Sequence, residues 1–289
     1  MKNLITRTIF GILFVVVMVG GMVWRPDTFI QLFAVITGMT VWEFTSLLNQ
    51  RKDIQVNRFI STVAAVYLHL ATAAWCVGMA DGFIAYVPYV ITMVYLLVSE
   101  LYLKQPNPIA NWACTMLAQM YIAMPFAMVN ILAFRINNTG EPAYNWMLPL
   151  SIFIFLWTND TGAYCTGSLF GKHKLFPRVS PGKSWEGSIG GAILVVAAAA
   201  AIAWFDNVEV ADKDMPPALL SMTVWIGLGL VVVVFGTWGD LVESLFKRTL
   251  GIKDSGNILP GHGGMLDRFD SSLLAIPMAV VYLYTISLL

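Results

Sequence analysis

The chain has 289 residues, of which 58% are hydrophobic and 12% are charged, and its mean hydropathy is +0.72. Soluble domains carry about 25% charged residues, so this composition excludes an ordinary soluble protein and predicts a polytopic membrane protein. Basic and acidic residues each total 17, and this balance gives no indication of a nucleic-acid partner.

Nine apolar runs have about the 20 residues that a helix needs to cross the hydrocarbon of a bilayer. We therefore predict an all-α fold, a polytopic membrane protein with about nine transmembrane helices. No small-residue cleavage site follows the first run, so we expect a retained membrane helix rather than a signal peptide. The runs cover residues 8–24, 28–49, 59–80, 83–103, 109–134, 146–165, 185–205, 218–238 and 271–288.

No polar stretch is long enough to bury a core of its own, so we expect one continuous membrane domain. Within it we distinguish N-terminal transmembrane helices (1–145) from a C-terminal catalytic region (146–289). No inverted pair of broken apolar runs appears, which argues against a secondary transporter. Cys76, Cys114 and Cys165 have no CxxC spacing, and they predict neither a metal site nor a disulfide framework.

The distribution of lysine and arginine predicts the orientation of the helices. With the N-terminus in the cytoplasm, 14 basic residues fall inside and three outside. This places two polar segments, 166–184 and 239–270, on the cytoplasmic side. The inside set is Lys2, Arg7, Arg51, Lys52, Arg58, Lys104, Lys172, Lys174, Arg178, Lys183, Lys247, Arg248, Lys253 and Arg268, and the outside set is Arg25, Arg135 and Lys213.

The sixth run contains Asn159 and Asp160 in or at the rim of a membrane helix. Burying a carboxylate there is costly, so such residues are usually paired or functional, although a helix-end aspartate can also reach the interface. The loop that follows combines glycine, lysine and serine, which suits phosphate or anionic lipid. Residues 182–184 resemble the end of a Walker A motif, but that motif requires glycine where Pro177 stands, so we reject it.

The stretch 239–270 combines carboxylates, basic side chains and glycines between two apolar runs. Carboxylates bind hard cations such as Mg²⁺, and lysine and arginine bind phosphate. Glycines let backbone N–H groups approach an anion closely. Asp240 and Glu243 are three residues apart, as are Asp267 and Asp270, so each pair shares one face if its segment is helical. The stretch predicts phosphate chemistry on a membrane-bound substrate.

Residues 244–270 resemble the signature of the phosphatidate cytidylyltransferases, also called CDP-diacylglycerol synthases. That signature reads Ser-x-x-Lys-Arg, four residues, Lys-Asp, then Pro-Gly-His-Gly-Gly, two residues, and Asp-Arg-x-Asp, and every part is present. The resemblance covers 236–275 and extends to 157–190, where Asn-Asp, Gly-Ala-Tyr, Phe-Gly-Lys and Ser-Pro-x-Lys-Ser-x-Glu-Gly all match. Residues 1–145 resemble the family only in being apolar helices.

The resemblance implies that CTP and phosphatidate react to give CDP-diacylglycerol and pyrophosphate for phospholipid synthesis. A phosphate oxygen of the lipid would be the nucleophile, and the difficulty would be to bring two anions together, which requires cations at the site. We expect Mg²⁺, with a second cation left open, and CTP and phosphatidate in the bilayer as partners. We expect a multi-pass protein of the inner (plasma) membrane with no nucleic-acid partner, and a homodimer is left open.

The resemblance and the residue chemistry together assign roles to particular side chains. The expected metal ligands are Asp240, Glu243, Asp267 and Asp270. The expected catalytic residues are Asp240, Lys247, Arg248, Asp267, Arg268 and Asp270. The expected substrate-binding residues are Asn159, Asp160, Lys172, Ser180, Lys183, Ser184, Ser244, Lys253, His262, Gly263 and Gly264.

Three other functions stay open from the residues alone. A CTP-dependent lipid kinase uses similar substrates but is not expected to carry the full 244–270 pattern. A transporter for an anionic solute would place its charges in the middle of the membrane, whereas most lie here in predicted loops. A membrane scaffold would need no loops of glycines and carboxylates.

Several polar residues allow a structural role instead. Asp267 and Asp270 are expected in the first turn of the ninth helix, where helix capping is the alternative to metal ligation. Glu43, His69 and Glu100 lie in apolar runs, where we expect hydrogen bonds to a neighbouring helix rather than a polar cavity.

Overall fold

The computed structural model describes residues 2–136, 140–209, 221–256 and 263–286, with side chains from residue 8 onward and, in the second range, up to residue 206. The described chain is mostly helical, which confirms the predicted all-α membrane fold. It forms two compact units. Unit 1 comprises residues 1–131 and 252–269, and unit 2 comprises residues 132–251 and 270–289. The expected boundary at residue 145 stays a prediction.

Unit 1 is a bundle of helices with two polar N-caps. The side-chain oxygens of Asn57 and Asn107 accept the N–H groups of Ile60 and Ala110, each at 3.1 Å, and so begin α3 and α5. The elements are α1 (Lys2–Val23), α2 (Pro26–Leu48), α3 (Arg58–Cys76), a 3₁₀ turn (Gly82–Tyr86), α4 (Val87–Leu103), α5 (Pro108–Ala118), a π turn (Gln119–Ala123), α6 (Met124–Ala133, whose last two residues belong to unit 2) and α10 (Met265–Phe269).

Aromatic side chains form the core of unit 1. The Phe126 and Phe269 rings meet edge to face with centroids 5.4 Å apart, and Phe14 meets Phe269 at 5.9 Å. Phe269 is 1% exposed, so the five-residue helix α10 is held mainly by its buried side chains. The end of the signature segment is therefore anchored in the core of unit 1.

Two of the polar residues in the apolar runs bond neighbouring helices, as the sequence predicted. His69 on α3 is fully buried, and its ring nitrogens lie 2.9 Å from the Phe126 carbonyl oxygen and 3.1 Å from that of Ile30. Glu100 on α4 accepts a hydrogen bond of 3.1 Å from the Asn111 side chain on α5. Both contacts give buried polar groups their partners within the bundle.

Unit 2 contains four main helices and two short hairpins. α7 and α8 approach closely through small residues, because a Cβ added to Gly162 would lie 2.9 Å from the Gly191 Cα. This agrees with the close packing that an alanine-rich run favours. The elements are β1 (Phe134–Ile136), β2 (Pro142–Tyr144), α7 (Met147–Phe170), β3 (Lys174–Phe176), β4 (Ser180–Ser184), α8 (Trp185–Glu209), α9 (Met222–Thr249) and α11 (Ser272–Thr285).

The hairpins were not predicted, and one of them organises the first polar segment. α7 continues to Phe170, beyond its predicted end at 165, and β3 and β4 then pair antiparallel with Lys174 opposite Ser184. The segment 166–184 is therefore a helix end and a hairpin rather than an irregular loop. β1 and β2 form the second antiparallel pair.

Helix α9 runs to Thr249, although its apolar run ends near 238. The sequence 239–249 contains no glycine or proline after Gly239, and the chain first takes a left-handed conformation at Gly251, where φ is +70°. Glycine in that position commonly ends a helix. Asp240, Glu243 and Lys247 therefore lie on a helix and not in the predicted loop.

Six helices in the described part of the chain are long and apolar enough to cross a membrane. α1 has a shorter apolar stretch in its described part, Thr8–Val23, α7 is interrupted by Asn159 and Asp160, and α11 has 14 residues. The six spans are 26–48, 58–76, 82–103, 108–133, 185–206 and 222–249. The count of nine transmembrane helices stays a prediction, as does their orientation.

Candidate active site

Unit 2 encloses a cavity of about 450 Å³ that is walled by α7, β4, the start of α8 and α9. It brings together residues from both polar segments of the sequence, among them Asp160, Lys183 and Asp240. The cavity is lined by Asn159, Asp160, Ala163, Tyr164, Gly167, Ser168, Gly182, Lys183, Ser184, Gly187, Ser188, Thr237 and Asp240. Lys183 and the small residues of this lining suit a phosphate group, and the two carboxylates suit a cation.

One face of α7 forms the first wall. Asn159, Ala163 and Gly167 recur every four residues and so lie on the same side of the helix. Asn159 is 5% exposed, and its side-chain oxygen has no hydrogen-bond partner among the described residues. This oxygen packs against α8, because a Cβ added to Gly191 would lie 2.5 Å from it. Asn159 therefore takes part in the close contact of α7 with α8 at the edge of the cavity.

Ser184 begins helix α8 at the second wall. Its hydroxyl oxygen accepts the Gly187 N–H at 3.2 Å, and the residue is 4% exposed. A Cβ added to Gly187 would lie 2.9 Å from the Ala163 carbonyl oxygen, so a larger residue would push α8 away from α7. Ser184, predicted as a phosphate donor, therefore acts as a helix cap within the cavity wall.

An ion pair joins the hairpin to α9. The Lys183 Nζ lies 2.6 Å from the Asp240 Oδ2, and about a quarter of each side chain is exposed. The Ser244 hydroxyl donates to the other Asp240 oxygen at 3.1 Å, one helical turn further along. Both oxygens of Asp240 are thus held in place, one by Lys183 and the other by the Ser244 hydroxyl.

Asp270 has other carboxylates around it. Although the residue keeps some exposed surface, burial is the largest cause that raises the pKa of Asp270 well above its usual range, and the charges of Asp240, Glu243 and Asp160 raise it further. The Ser271 N–H donates to its Oδ1 at 2.5 Å. Glu243 is fully buried and pairs with the Lys247 Nζ at 2.7 Å. Three of the four predicted metal ligands therefore belong to one unit.

These carboxylates fit a hard divalent cation by their chemistry. Oxygen donors are the ligands that Mg²⁺ takes, and a bound cation would relieve the repulsion that the Asp270 carboxylate meets. In the described part of the chain, no three carboxylate, imidazole or thiol groups are already gathered in metal-binding geometry. The lysines on Asp240 and Glu243 occupy part of the donor set, so a cation would compete with them.

Asp267, the fourth predicted ligand, belongs to unit 1 and has a different environment. Its Oδ2 accepts hydrogen bonds from the Ser255 and Gly264 N–H groups, each at 2.8 Å, and lies 2.9 Å from the Ser255 hydroxyl oxygen. Gly263 has a φ of +80°, and a Cβ there would overlap the Asp267 carboxylate. Asp267 lies in α10 and not, as predicted, in the first turn of the last helix, because the chain turns between α10 and α11.

The remaining predicted residues are divided between the hairpin and the signature segment. The Lys172 N–H donates to the Glu186 carboxylate at 3.2 Å, which ties the α7 end to α8. Ser180 begins β4, where it pairs with Phe176. Arg248 lies in the last turn of α9, Lys253 and Arg268 are exposed, and Gly264 is buried. His262 lies outside the described residues.

A second, apolar groove of about 720 Å³ adjoins the cavity, since Ser188 and Thr237 line both. Its single charged residue among those described is Arg178 on the hairpin. The groove is lined by Leu175, Phe176, Arg178, Val179, Trp185, Ser188, Val233, Val234, Thr237, Trp238, Leu241, Val242, Leu245 and Leu274. Sequence reasoning missed Arg178 and Thr237, because neither stands out from an ordinary loop or apolar helix.

Glu43 meets the expectation of a hydrogen bond to a neighbouring helix, since two of its donors lie in α10. In unit 1 its carboxylate accepts hydrogen bonds from the Ser255 hydroxyl and from the backbone N–H groups of Met265 and Leu266. The signal in the sequence was a glutamate within an apolar run, which is costly unless it is paired or functional. Its partner could not be identified without the fold.

Comparison with known proteins gives one consistent family. Residues 5–286 match the model of the cytidylyltransferase family. A phosphatidate cytidylyltransferase of Haemophilus influenzae is 33% identical over 267 residues, covering 87% of this chain and 88% of its own. One of Staphylococcus haemolyticus is 32% identical over 260 residues, covering 89% and 90%. One of Staphylococcus aureus is 46% identical over 136 residues, covering 46% of this chain and 48% of its own.

Proposed function

The chain belongs to the cytidylyltransferase family, and we propose that it transfers the cytidylyl group of CTP to phosphatidate. The products are CDP-diacylglycerol and pyrophosphate. The observation that carries the proposal is the cavity of unit 2, where Lys183 and two carboxylates, Asp160 and Asp240, line one space of about 450 Å³. Relatives named phosphatidate cytidylyltransferase align over most of their length, which supports the same reaction here.

The reaction forms a bond between a phosphate oxygen of the lipid and the α-phosphorus of CTP. The bond between the α-phosphorus and the oxygen bridging to the β-phosphate breaks, and its electron pair leaves with pyrophosphate. Since the lipid phosphate is already ionised near neutral pH, no protein nucleophile is required. The protein's contribution is to position two anions and to stabilise the charge of the leaving group.

Lys183 supplies positive charge at the wall of the cavity. Lys183 pairs with Asp240, and a triphosphate would compete with that carboxylate for its ammonium group.

Asp240, Glu243 and Asp270 would hold Mg²⁺, which neutralises triphosphate charge when it is bound. Lys183 and Lys247 pair with Asp240 and Glu243, so Mg²⁺ would compete with these lysines. Asp267 remains a proposed ligand, although one of its oxygens already accepts two backbone N–H groups.

The apolar groove supports a lipid as the second substrate. It contains no carboxylate among its described lining residues, and it shares the lining residues Ser188 and Thr237 with the cavity. An acyl chain in the groove would place its phosphate beside that shared wall, with Arg178 near the hairpin. We further propose that both polar segments face the cytoplasm of the inner membrane, where CTP is available.

The test is a reaction of purified protein with CTP, phosphatidate and Mg²⁺. CDP-diacylglycerol and pyrophosphate should appear in equal amounts, and chelating the metal should stop both. Release of pyrophosphate without a nucleotide-bearing lipid, or no product at all with Mg²⁺ present, would contradict the proposed reaction.

A further inference from the structure

The Glu43 carboxylate accepts hydrogen bonds from three donors within unit 1. It projects from the membrane helix α2, is 7% exposed, and accepts a bond of 2.5 Å from the Ser255 hydroxyl. The Met265 N–H donates to its Oε2 at 2.9 Å, and the Leu266 N–H donates to its Oε1 at 3.0 Å. A carboxylate only accepts hydrogen bonds, so it matches three donors that an apolar residue would leave buried and unsatisfied.

The backbone at Gly256 and Gly264 packs closely against this carboxylate. A Cβ added to Gly256 would lie 2.7 Å from the Glu43 Oε2, and one added to Gly264 would overlap the Glu43 Oε1. Both glycines therefore allow the backbone to close over Glu43 on two sides. Close packing on this scale fixes the segment against α2.

Ser255 connects Glu43 to Asp267. Its hydroxyl lies 2.5 Å from a Glu43 oxygen and 2.9 Å from the Asp267 Oδ2, and its N–H donates to the same Asp267 oxygen. Asp267 in turn accepts the Gly264 N–H, immediately before the backbone groups that Glu43 holds. Two carboxylates and one serine thus connect Ser255 to residues 264–267.

We propose that Glu43 is a positioning residue of the enzyme. It holds Ser255 and residues 264–266, and it thereby fixes the positions of Asp267 and Arg268 for the reaction. The inference rests on the proposed cytidylyl transfer, since it concerns the residues of that reaction. Glu43 lies outside both regions that resemble the family signature.

Replacing Glu43→Gln tests the carboxylate with little change of shape. The amide keeps one acceptor but turns an N–H₂ group toward a donor, either at Met265 or at Ser255 and Leu266. Glu100→Gln is the matched control, because Glu100 also lies on an apolar helix of unit 1 and its carboxylate accepts from the Asn111 side chain. The control should retain wild-type behaviour in each measurement.

Amide hydrogen exchange of the full-length protein in detergent measures the effect of losing the Glu43 contacts independently of activity. Glu43→Gln should raise exchange at residues 255–256 and 264–267 by at least about tenfold and leave α3 unchanged, because only the contacts of Glu43 are lost. Turnover should fall by at least about tenfold, and the Mg²⁺ concentration for half-maximal turnover should rise by at least about threefold. A simple loss of folded protein would lower the maximal rate without moving that Mg²⁺ concentration.

Three results would overturn the inference: unchanged exchange at 255–256 and 264–267, a uniform rise of exchange throughout unit 1, or a local rise of exchange with wild-type turnover. The wild-type protein is assayed first, and inactivity there would contradict the proposed function while the exchange result still reports on the anchor. If Glu43→Gln gives no folded protein, Ser255→Ala removes the hydroxyl that links Glu43 to Asp267. That variant should show the same local exchange and the same shift in Mg²⁺ requirement, and wild-type values would overturn the inference equally.

Discussion

Lys183 and Asp240 form an ion pair of 2.6 Å that joins the β3–β4 hairpin to helix α9 at the wall of the unit 2 cavity. About a quarter of each side chain is exposed, so solvent and ligands can reach both partners. Partly exposed pairs contribute about 0–1 kcal/mol to folding, which is too little to explain the pair as a stabilising device. We expect the ion pair to affect mainly how Lys183 binds phosphate and how Asp240 binds a cation.

Lys183→Gln should therefore reduce activity far more than stability. Removing a cation from the triphosphate site should lower kcat/KM by about 100-fold, equivalent to about 2.7 kcal/mol, while the melting temperature changes little. Steady-state kinetics and thermal unfolding on the same preparation measure both. Lys174→Gln, on the exposed face of β3, is the control and should retain near wild-type kinetics. Equal effects of the two substitutions would remove Lys183 from the site.

Asp270→Asn should separate catalysis from folding. The side chain is crowded by Asp240, Glu243 and Asp160, so neutralising it should leave the free energy of unfolding unchanged or slightly increased at neutral pH. Turnover should fall by about a thousandfold or more if Asp270 holds the metal. Unfolding curves measure the stability of the variant, and turnover rates at saturating Mg²⁺ measure its catalysis. A folded variant that retains more than about a tenth of the wild-type rate would exclude a ligand role.

Asp267→Asn gives a contrasting expectation. An asparagine oxygen can accept the same hydrogen bonds from Ser255 and Gly264, so the backbone around residue 267 should keep its structure. If Asp267 is also a metal ligand, turnover should still fall to the level of Asp270→Asn. If it serves only the segment, the variant should retain more than about a tenth of the activity, and Asp267→Ala should be unstable by about 1–3 kcal/mol.

The predictable part of this molecule follows from patterns that are local in sequence. Each apolar run corresponds to a helix, and the density of carboxylates and basic residues indicated Asp240, Asp270 and Lys183. The end of α9 was misplaced because hydropathy falls at 239 whereas helix formation continues to the left-handed Gly251. Long-range partners were beyond reach, since nothing near Glu43 in the sequence indicates that its donors lie beyond residue 250.

Gly264→Ala should disrupt the anchor that Glu43 provides. The added methyl group would overlap the Glu43 carboxylate and lie against the Ser255 hydroxyl, and a buried polar cluster has little room to adjust. We expect a loss of about 1–3 kcal/mol in the free energy of unfolding, with turnover reduced. Gly20→Ala, on α1 with nothing within 4 Å of the added Cβ, should be neutral or slightly stabilising. Equal stability of the two variants would show that the segment tolerates the side chain.

Leu241→Trp should block the apolar groove without entering the polar cavity. We expect KM for long-chain phosphatidate to rise by about tenfold, while KM for CTP and the rate with a short-chain, water-soluble phosphatidate stay near wild type. Leu230→Trp is the control, because Leu230 is exposed on the same helix but does not line the groove. A similar effect of both substitutions would contradict a role of the groove in binding phosphatidate.

The predicted orientation can be measured with single cysteines in a cysteine-free background. Lys174→Cys on the hairpin should resist an impermeant thiol reagent in intact cells, because the excess of lysine and arginine places this segment in the cytoplasm. Asp212→Cys, in the connection between α8 and α9, should react. Both sites should react after the membrane is permeabilised, and the reverse pattern in intact cells would contradict the orientation.

The position of the transferred phosphorus tests the proposed reaction most directly. Purified protein is incubated with phosphatidate and Mg²⁺ and with CTP labelled at either the α- or the γ-phosphate, and the lipid fraction is counted. Cytidylyl transfer places the α-label in the lipid and leaves the γ-label in pyrophosphate, and Lys183→Gln should reduce the α-label in the lipid by about 100-fold. Entry of the γ-label into the lipid would contradict cytidylyl transfer and identify a CTP-dependent lipid kinase instead.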